Sequence, residues 1–174
     1  MNPARLVFID EAAAKTNMTR MRGRAPKGQR LVAACPHGHW QTTTMISSVR
    51  LDGTCAHAEL PGATNQQTFL AYVRETLVPT LRPGDIVIMD NLRLHKHADV
   101  KAAIEAVGAR LDFLPAYSPD LNPIEKMWSK VKARLRCLGA RTHEALLLAI
   151  ADAIASVTPS DVAGWFAACG YSFI

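Results

Sequence analysis

The chain has 174 residues, with 20 Lys and Arg against 15 Asp and Glu for a formal net charge of +5, and 49% of its residues are hydrophobic. This length supports one domain whose core needs neither disulfide nor metal staples, and the apolar content excludes an intrinsically disordered chain. The small basic excess permits a polyanionic partner without requiring one.

Cys35, Cys55, Cys137 and Cys169 are scattered, with no C-x-x-C pair, and no secretory segment precedes them. A disulfide framework is not expected, and a reducing cytoplasm is the expected compartment. The most apolar stretch, residues 145–157, is too short to span a bilayer and carries Asp152, so no membrane association is expected.

Leu6-Val7-Phe8-Ile9 reads as a buried strand that ends at Asp10-Glu11. Residues 30–34 and 40–49 read as two strands joined in a hairpin at Pro36-His37-Gly38-His39, with a third antiparallel piece over 54–60. Thr64, with Gln67 three residues on, marks a helix start; Phe69, Leu70, Val73 and Leu77 recur at helical spacing before Pro79 stops the pattern. The second half alternates: a strand over 85–90, a helix over 98–107 ending at Gly108, a strand over 109–114, and a loop over 117–122. Asn122-Pro123 then opens a helix with Ile124, Met127, Trp128, Val131, Leu135 and Leu138 on one face, and helices over 142–157 and 160–169 close the chain. This order predicts an α/β fold, a mixed sheet with helices packed against it.

The informative residues are acids. Asp10 and Asp90 each follow four consecutive apolar residues, which places them at the ends of buried strands, where ligand sites of open α/β sheets gather. An ionised carboxylate there needs a partner, and a hard divalent cation such as Mg²⁺ supplies one. Glu125, on the first turn of the Asn122-Pro123 helix, completes a candidate three-acid cluster. Each acid also has an ordinary reading. Asp90-Asn91 fits a turn after a strand, Glu125 fits the third position of a capping box opened by Asn122, and Asp10 fits a strand-terminal acid with Glu11 equally eligible.

The residues around these acids carry a resemblance. Phe8-Ile9-Asp10-Glu11, Lys15-Thr16-Asn17-Met18-Thr19-Arg20, Gly23-Arg24-Ala25-Pro26-Lys27-Gly28, Met89-Asp90-Asn91-Leu92 and His95-Lys96 form an ordered series. Leu114-Pro115-Ala116-Tyr117-Ser118-Pro119-Asp120-Leu121-Asn122-Pro123-Ile124-Glu125-Lys126-Met127-Trp128 completes it and is the most specific block. Together they resemble the catalytic domain of bacterial transposases of the insertion sequence 630 family, in the mariner superfamily, from about residue 5 to about residue 150. The separation of 125 − 90 = 35 residues between the second and third acids matches that family's spacing.

The resemblance implies an RNase H-like, retroviral-integrase-like fold with a mixed five-stranded sheet, in which Asp10, Asp90 and Glu125 are the catalytic, metal-binding DDE triad. It implies Mg²⁺, with Mn²⁺ as substitute, as a pair of ions that clamp the scissile phosphate. The implied activity is cleavage of insertion-sequence ends and transfer of the released 3′-OH into target DNA. The implied partners are double-stranded DNA, both terminal inverted repeats and target, and a second copy of the chain on that DNA. With the first acid ten residues from the N-terminus, residues 1–174 read as one catalytic domain. The helix-turn-helix recognition region is then expected on an upstream polypeptide, in a bacterial, nucleoid-associated setting.

Supporting residues follow from position. Asn91 is a candidate to orient Asp90 or to shape the turn. His95 is a candidate to support the triad or, as a hydrogen-bond donor beside the point charge of Lys96, to touch the phosphate or flanking strand, and the His95-Lys96 pair equally fits a solvated helix entry. Arg20, Arg22, Arg24, Lys27 and Arg30 form a basic loop suited to a phosphate backbone, while Lys126, Lys130 and Arg134 share a helix stripe that equally fits a solvated face. Cys35, His37 and His39 lack the paired spacing of a structural zinc site. Trp128 and Trp165 fall at core positions. Two other functions compete: another RNase H-like nuclease or resolvase, and an inactive DNA-binding remnant.

Overall fold

The computed structural model of the chain describes residues 2–53 and 55–172. Its framework is a sheet in the order β3-β2-β1-β4-β5, built from β1 (Leu6–Lys15), β2 (Thr42–Arg50), β3 (His57–Pro61), β4 (Ile86–Met89) and β5 (Arg110–Phe113). β2 pairs antiparallel with β1 and β3; β4 pairs parallel with β1 and β5. The helices are α1 (Gln66–Tyr72), α2 (Ala98–Glu105), α3 (Pro123–Leu138), α4 (His143–Ala155) and α5 (Pro159–Ala168).

Alternation along β1 makes the sheet two-faced. Leu6, Phe8, Ala12 and Ala14, with Met45, Val49 and Ile88, bury one face against α3, α4 and α5. There Ile124, Met127, Trp128, Val131 and Leu135 form the inward stripe of α3, and Trp165 packs at its margin. Val7, Ile9, Ile46, Val87, Met89 and Leu111 bury the other face against Phe69, Tyr72, Val73, Leu77, Val100 and Ile104. The expected mixed sheet between helices is therefore present. Among the described residues, no single helix is long and apolar enough to cross a membrane.

Four local expectations are corrected. β1 does not end at Asp10-Glu11 but continues to Lys15, because β2 pairs with it all the way from Val7↔Arg50 to Lys15↔Thr42. That ladder overrides the weak strand preference of Ala12-Ala13-Ala14. Residues 30–34 form no strand, so the hairpin at 36–39 does not exist; β2 lies between β1 and β3, and Leu31 and Val32 stay 49% and 83% exposed. The third strand starts at His57, and Thr54 lies outside the described residues. Asn65, not Thr64, caps α1: its side chain accepts from the Thr68 N–H while Thr68 Oγ1 accepts from the Asn65 N–H. A π-helical turn (Val73–Leu77) and a 3₁₀ turn (Val78–Thr80) around Pro79 end that segment.

Asp85 precedes β4 and forms the most buried ion pair among the described residues. Arg50, at the end of β2, donates from Nη1 to Asp85 Oδ1 at 3.0 Å and from Nη2 to Oδ2 at 2.7 Å, with both side chains at most 4% exposed. Asp85 Oδ2 also accepts from the Arg82 N–H, so this carboxylate sets the turn that launches β4. Replacing one partner strands the other charge in the core, at a cost of about 3–5 kcal/mol. Asp85→Ala is accordingly expected to lower the unfolding free energy by about that amount, read from urea denaturation.

Candidate active site

Parallel pairing fixes two of the acids. Phe8 is level with Ile88 and both point into the α3 side, so two residues further on Asp10 and Asp90 lie on that same side. β4 stops at Met89 while β1 runs on, so Asp10 stands mid-strand beside the carboxyl end of its neighbour. The third acid comes from α3. Asn122 occupies its N-cap position, yet its side chain makes no capping bond, so the capping-box reading of Glu125 is not realised. Glu125 is exposed and lines the same cavity as Asp10 and Asp90.

That cavity has a volume of about 390 Å³ and is walled by Asn91, Leu92, residues 114–119 and Asn122. Asn91 Nδ2 donates to the Leu114 carbonyl and so ties the exit of β4 to the wall that follows β5. Burial pushes the Asp10 carboxyl up to about 7; a backbone bond from Glu11 opposes the shift, and the charges of Glu125, Glu11 and Asp90 add to it. These charges act on Asp10 from α3, β1 and the β4 exit.

His95 lies beneath this floor. Its Nδ1 is 2.7 Å from Asp90 Oδ1, its Nε2 is 2.9 Å from Glu11 Oε2, and its ring packs on Phe69 with centroids 4.6 Å apart. Burial alone would lower its pKa, but the bonds and charges of Glu11 and Asp90 outweigh that and hold it above the ordinary histidine value. With its side chain 0% exposed, His95 meets Asp90 and not solvent, whereas Lys96 beside it places Nζ 5.8 Å from the Phe113 ring centroid.

The cationic candidates separate. Arg20, Arg22, Arg24, Lys27 and Arg30 all lie exposed on the irregular segment between β1 and β2. On α3, Lys126 is exposed, but Lys130 Nζ donates to Asp161 Oδ2 and holds that carboxyl down at about 2. Arg134 Nε similarly donates to Asp152, at 2.8 Å, so two of the three stripe cations tie α3 to its neighbouring helices. Two residues escaped sequence reasoning as site components, and Glu11 enters it only as an alternative to Asp10. Tyr117 on the cavity wall is fully exposed with φ of 57°, a backbone region unusual for a non-glycine residue. Asn122, read only as a cap, is buried with its Oδ1 lacking a hydrogen-bond partner among the described residues.

The donor set suits a hard divalent cation: carboxylate oxygens from three elements, an unpaired amide oxygen, and an Asp10 whose ionisation is opposed until positive charge arrives. Among the described residues no three His, Cys, Asp or Glu side chains already stand at ligand spacing. The match is thus one of donor chemistry and placement, not of a closed cage.

With the geometry in place, comparison with known proteins gives two kinds of likeness. The family described as DDE superfamily endonuclease matches residues 5–146. Among solved structures, the mariner Mos1 paired-end complex with Mg has a TM-score of 0.72 at 19% identity, covering 95% of this chain and 52% of that one. The Mos1 strand transfer complex has a TM-score of 0.69 at 20% identity, covering 96% and 52%. The catalytic domain of Mos1 mariner transposase has 0.64 at 17%, covering 95% and 77%. At these identities the likeness is one of fold, and the chain spans about half the length of the first two. No curated protein sequence matches.

Asp10 gives a stability test. Its carboxyl ionises at 3.8 in the unfolded reference and at about 7 in the fold. Both states are protonated below the lower value, so the ion-free protein loses stability as pH rises between the two and carries the full penalty above about 7. Asp10→Asn in chelator is expected to melt higher than the parent above neutrality, with the difference vanishing toward the lower value; thermal melts across this pH range check it.

Proposed function

The chain belongs to the DDE superfamily of endonucleases, and from that premise we propose that it is the catalytic domain of a transposase of the insertion sequence 630 type. The observation that carries the reading is the single cavity lined by Asp10, Asp90 and Glu125, three acids from a strand, a strand exit and a helix start. The RNase H-like sheet supplies the frame, and a strand transfer complex and a Mg-bound paired-end complex of Mos1 share it.

In this reading Asp10, Asp90 and Glu125 are the residues that would hold Mg²⁺, or Mn²⁺ in its place, as a pair of ions. When bound, such ions lower the pKa of an attacking oxygen and stabilise the leaving 3′ oxygen of a phosphodiester. The chain's own contribution is placement. Asn91 braces the cavity wall through Leu114, His95 holds Asp90 from below, and the Leu92 N–H donates to Asp90 Oδ1 at 3.0 Å. Water cleaves the element end, and the freed 3′-OH then attacks a target phosphodiester, so no covalent protein intermediate is required. Arg20, Arg22, Arg24, Lys27 and Arg30 follow the DNA backbone, where exposure leaves them available to phosphates. Lys126, exposed next to Glu125 in sequence, and Lys96, close after Asp90, are further phosphate contacts in this reading. Transposon-end DNA as partner has the Mos1 paired-end complex as its support; a second copy on paired ends and an upstream helix-turn-helix polypeptide for end recognition complete the reading.

Asp10→Ala, Asp90→Ala and Glu125→Ala are each expected to abolish Mg²⁺-dependent DNA cleavage while the circular dichroism spectrum stays that of the parent. A folded Asp90→Ala protein that still cuts contradicts the proposal. Joining of a 3′-OH oligonucleotide to a target plasmid separates a transposase from a nuclease or resolvase, which would cleave without joining. For the DNA path, neutralising Arg22 and Arg24 together is expected to reduce the slope of log affinity against log salt by roughly 2. Binding measured by fluorescence anisotropy over a salt series reads this out, and an unchanged slope removes the loop from the interface.

A further inference from the structure

Asp10 and Glu11 are adjacent on β1 and therefore face opposite sides of the sheet. Asp10 faces the cavity, while Glu11 faces the side of Phe69 and α1, where no DNA is expected to reach it. Its carboxylate is nevertheless only 14% exposed and engages a His95 side chain that is fully buried. A buried carboxylate–imidazole pair is a weak way to stabilise a core, since apolar residues of similar volume serve as well. What sets this pair apart is where its other end leads. The segment after β4 folds back under the sheet edge so that His95, five residues beyond Asp90, bonds Asp90 Oδ1 through Nδ1. Oδ1 also accepts from the Leu92 N–H. Both bonds fall on one oxygen and fix the plane of the Asp90 carboxylate.

We infer that Glu11 is a positioning residue for the reaction, acting through His95 to hold Asp90 in the orientation in which it meets a cation. Glu11 Oε2 accepts from His95 Nε2 at 2.9 Å and the Phe69 ring blocks the imidazole face, so the ring has one orientation and presents Nδ1 to Asp90. Outer partners that orient a ligand in this way typically change metal affinity or activity by about 10–100-fold when removed. The inference rests on the reading of Asp90 as a cation ligand. It adds a residue from the opposite face of the sheet, and it gives the Asp10-Glu11 pair two separate tasks.

The test compares Glu11→Met, which keeps the side-chain length but has no carboxylate, with Glu11→Gln, which retains an acceptor oxygen for Nε2. Full-length parent, both variants and Asp90→Ala are titrated with Mn²⁺ and followed by electron paramagnetic resonance, after thermal melts establish that each is folded. The ¹⁵N resonances of the His95 ring are recorded without metal. Glu11→Met is expected to weaken Mn²⁺ binding about tenfold and to shift the Nδ1 resonance, with Glu11→Gln restoring both toward the parent. Parental Mn²⁺ affinity in Glu11→Met, where Asp90→Ala abolishes binding, overturns the inference. So does a Glu11→Gln protein as impaired as Glu11→Met. If Asp90→Ala leaves Mn²⁺ binding intact, or the parent binds none, the metal-site reading itself fails; the Nδ1 resonance then decides whether Glu11 orients His95, and an unmoved signal overturns that as well.

Discussion

Parallel pairing of β1 with β4 is the constraint on which the rest of the molecule depends. It sets Phe8 level with Ile88 and thereby places Asp10 and Asp90 on one side of the sheet, above an apolar layer that cannot solvate them. Burial beside that core opposes the ionisation of Asp10, and the charges of Glu125, Glu11 and Asp90 add to the effect. The fold tolerates this because it is anchored elsewhere, by two hydrophobic layers and by the Arg50–Asp85 pair that fixes the start of β4. A strained electrostatic arrangement retained on a rigid support is what a cation site for phosphodiester chemistry requires.

The two faces of the sheet divide the work. On the α3 side, Glu125 arrives from a helix whose apolar stripe locks it to β1, so the third acid is positioned by the same core that supports the first two. On the α1 side, Glu11 and His95 reach Asp90 from beneath and are shielded by Phe69. Arg20, Arg22, Arg24, Lys27 and Arg30, on the segment between β1 and β2, stand exposed and leave their charges to solvent. Lys130 and Arg134, by contrast, spend theirs on Asp161 and Asp152, holding α5 and α4 against α3.

Much of this was legible in the sequence where the signal was local. A short β-branched run such as Ile86-Val87-Ile88-Met89, bounded by turn residues, fits a buried strand, and Ile124, Met127, Trp128, Val131 and Leu135 share one helical face, so the acids that border them could be placed on elements. The failures were of longer range. Ala12-Ala13-Ala14 becomes strand only because β2 supplies a ladder, and Leu31-Val32 looks like strand but finds the places beside β1 and β2 already taken. The cap at Asn65 rather than Thr64 is a one-residue choice made by the reciprocal hydrogen bonds between Asn65 and Thr68. Glu11 was visible only as an equal candidate to Asp10; its separate role depends on the path of the chain from Asp90 to His95, which no periodicity encodes.

Binding of Mn²⁺ to the full chain, with proton exchange followed at the same time, tests the central claim that Asp10, Asp90 and Glu125 form one cation site. Calorimetric titrations near pH 7 in two buffers of different ionisation enthalpy report both quantities. The account expects saturable binding accompanied by proton release, because Asp10 is partly protonated near that pH until a cation arrives. It also expects the release to disappear in Asp10→Asn and the binding to weaken in Asp90→Asn and Glu125→Gln. Saturable binding that none of the three substitutions alters, with no proton released, would contradict it.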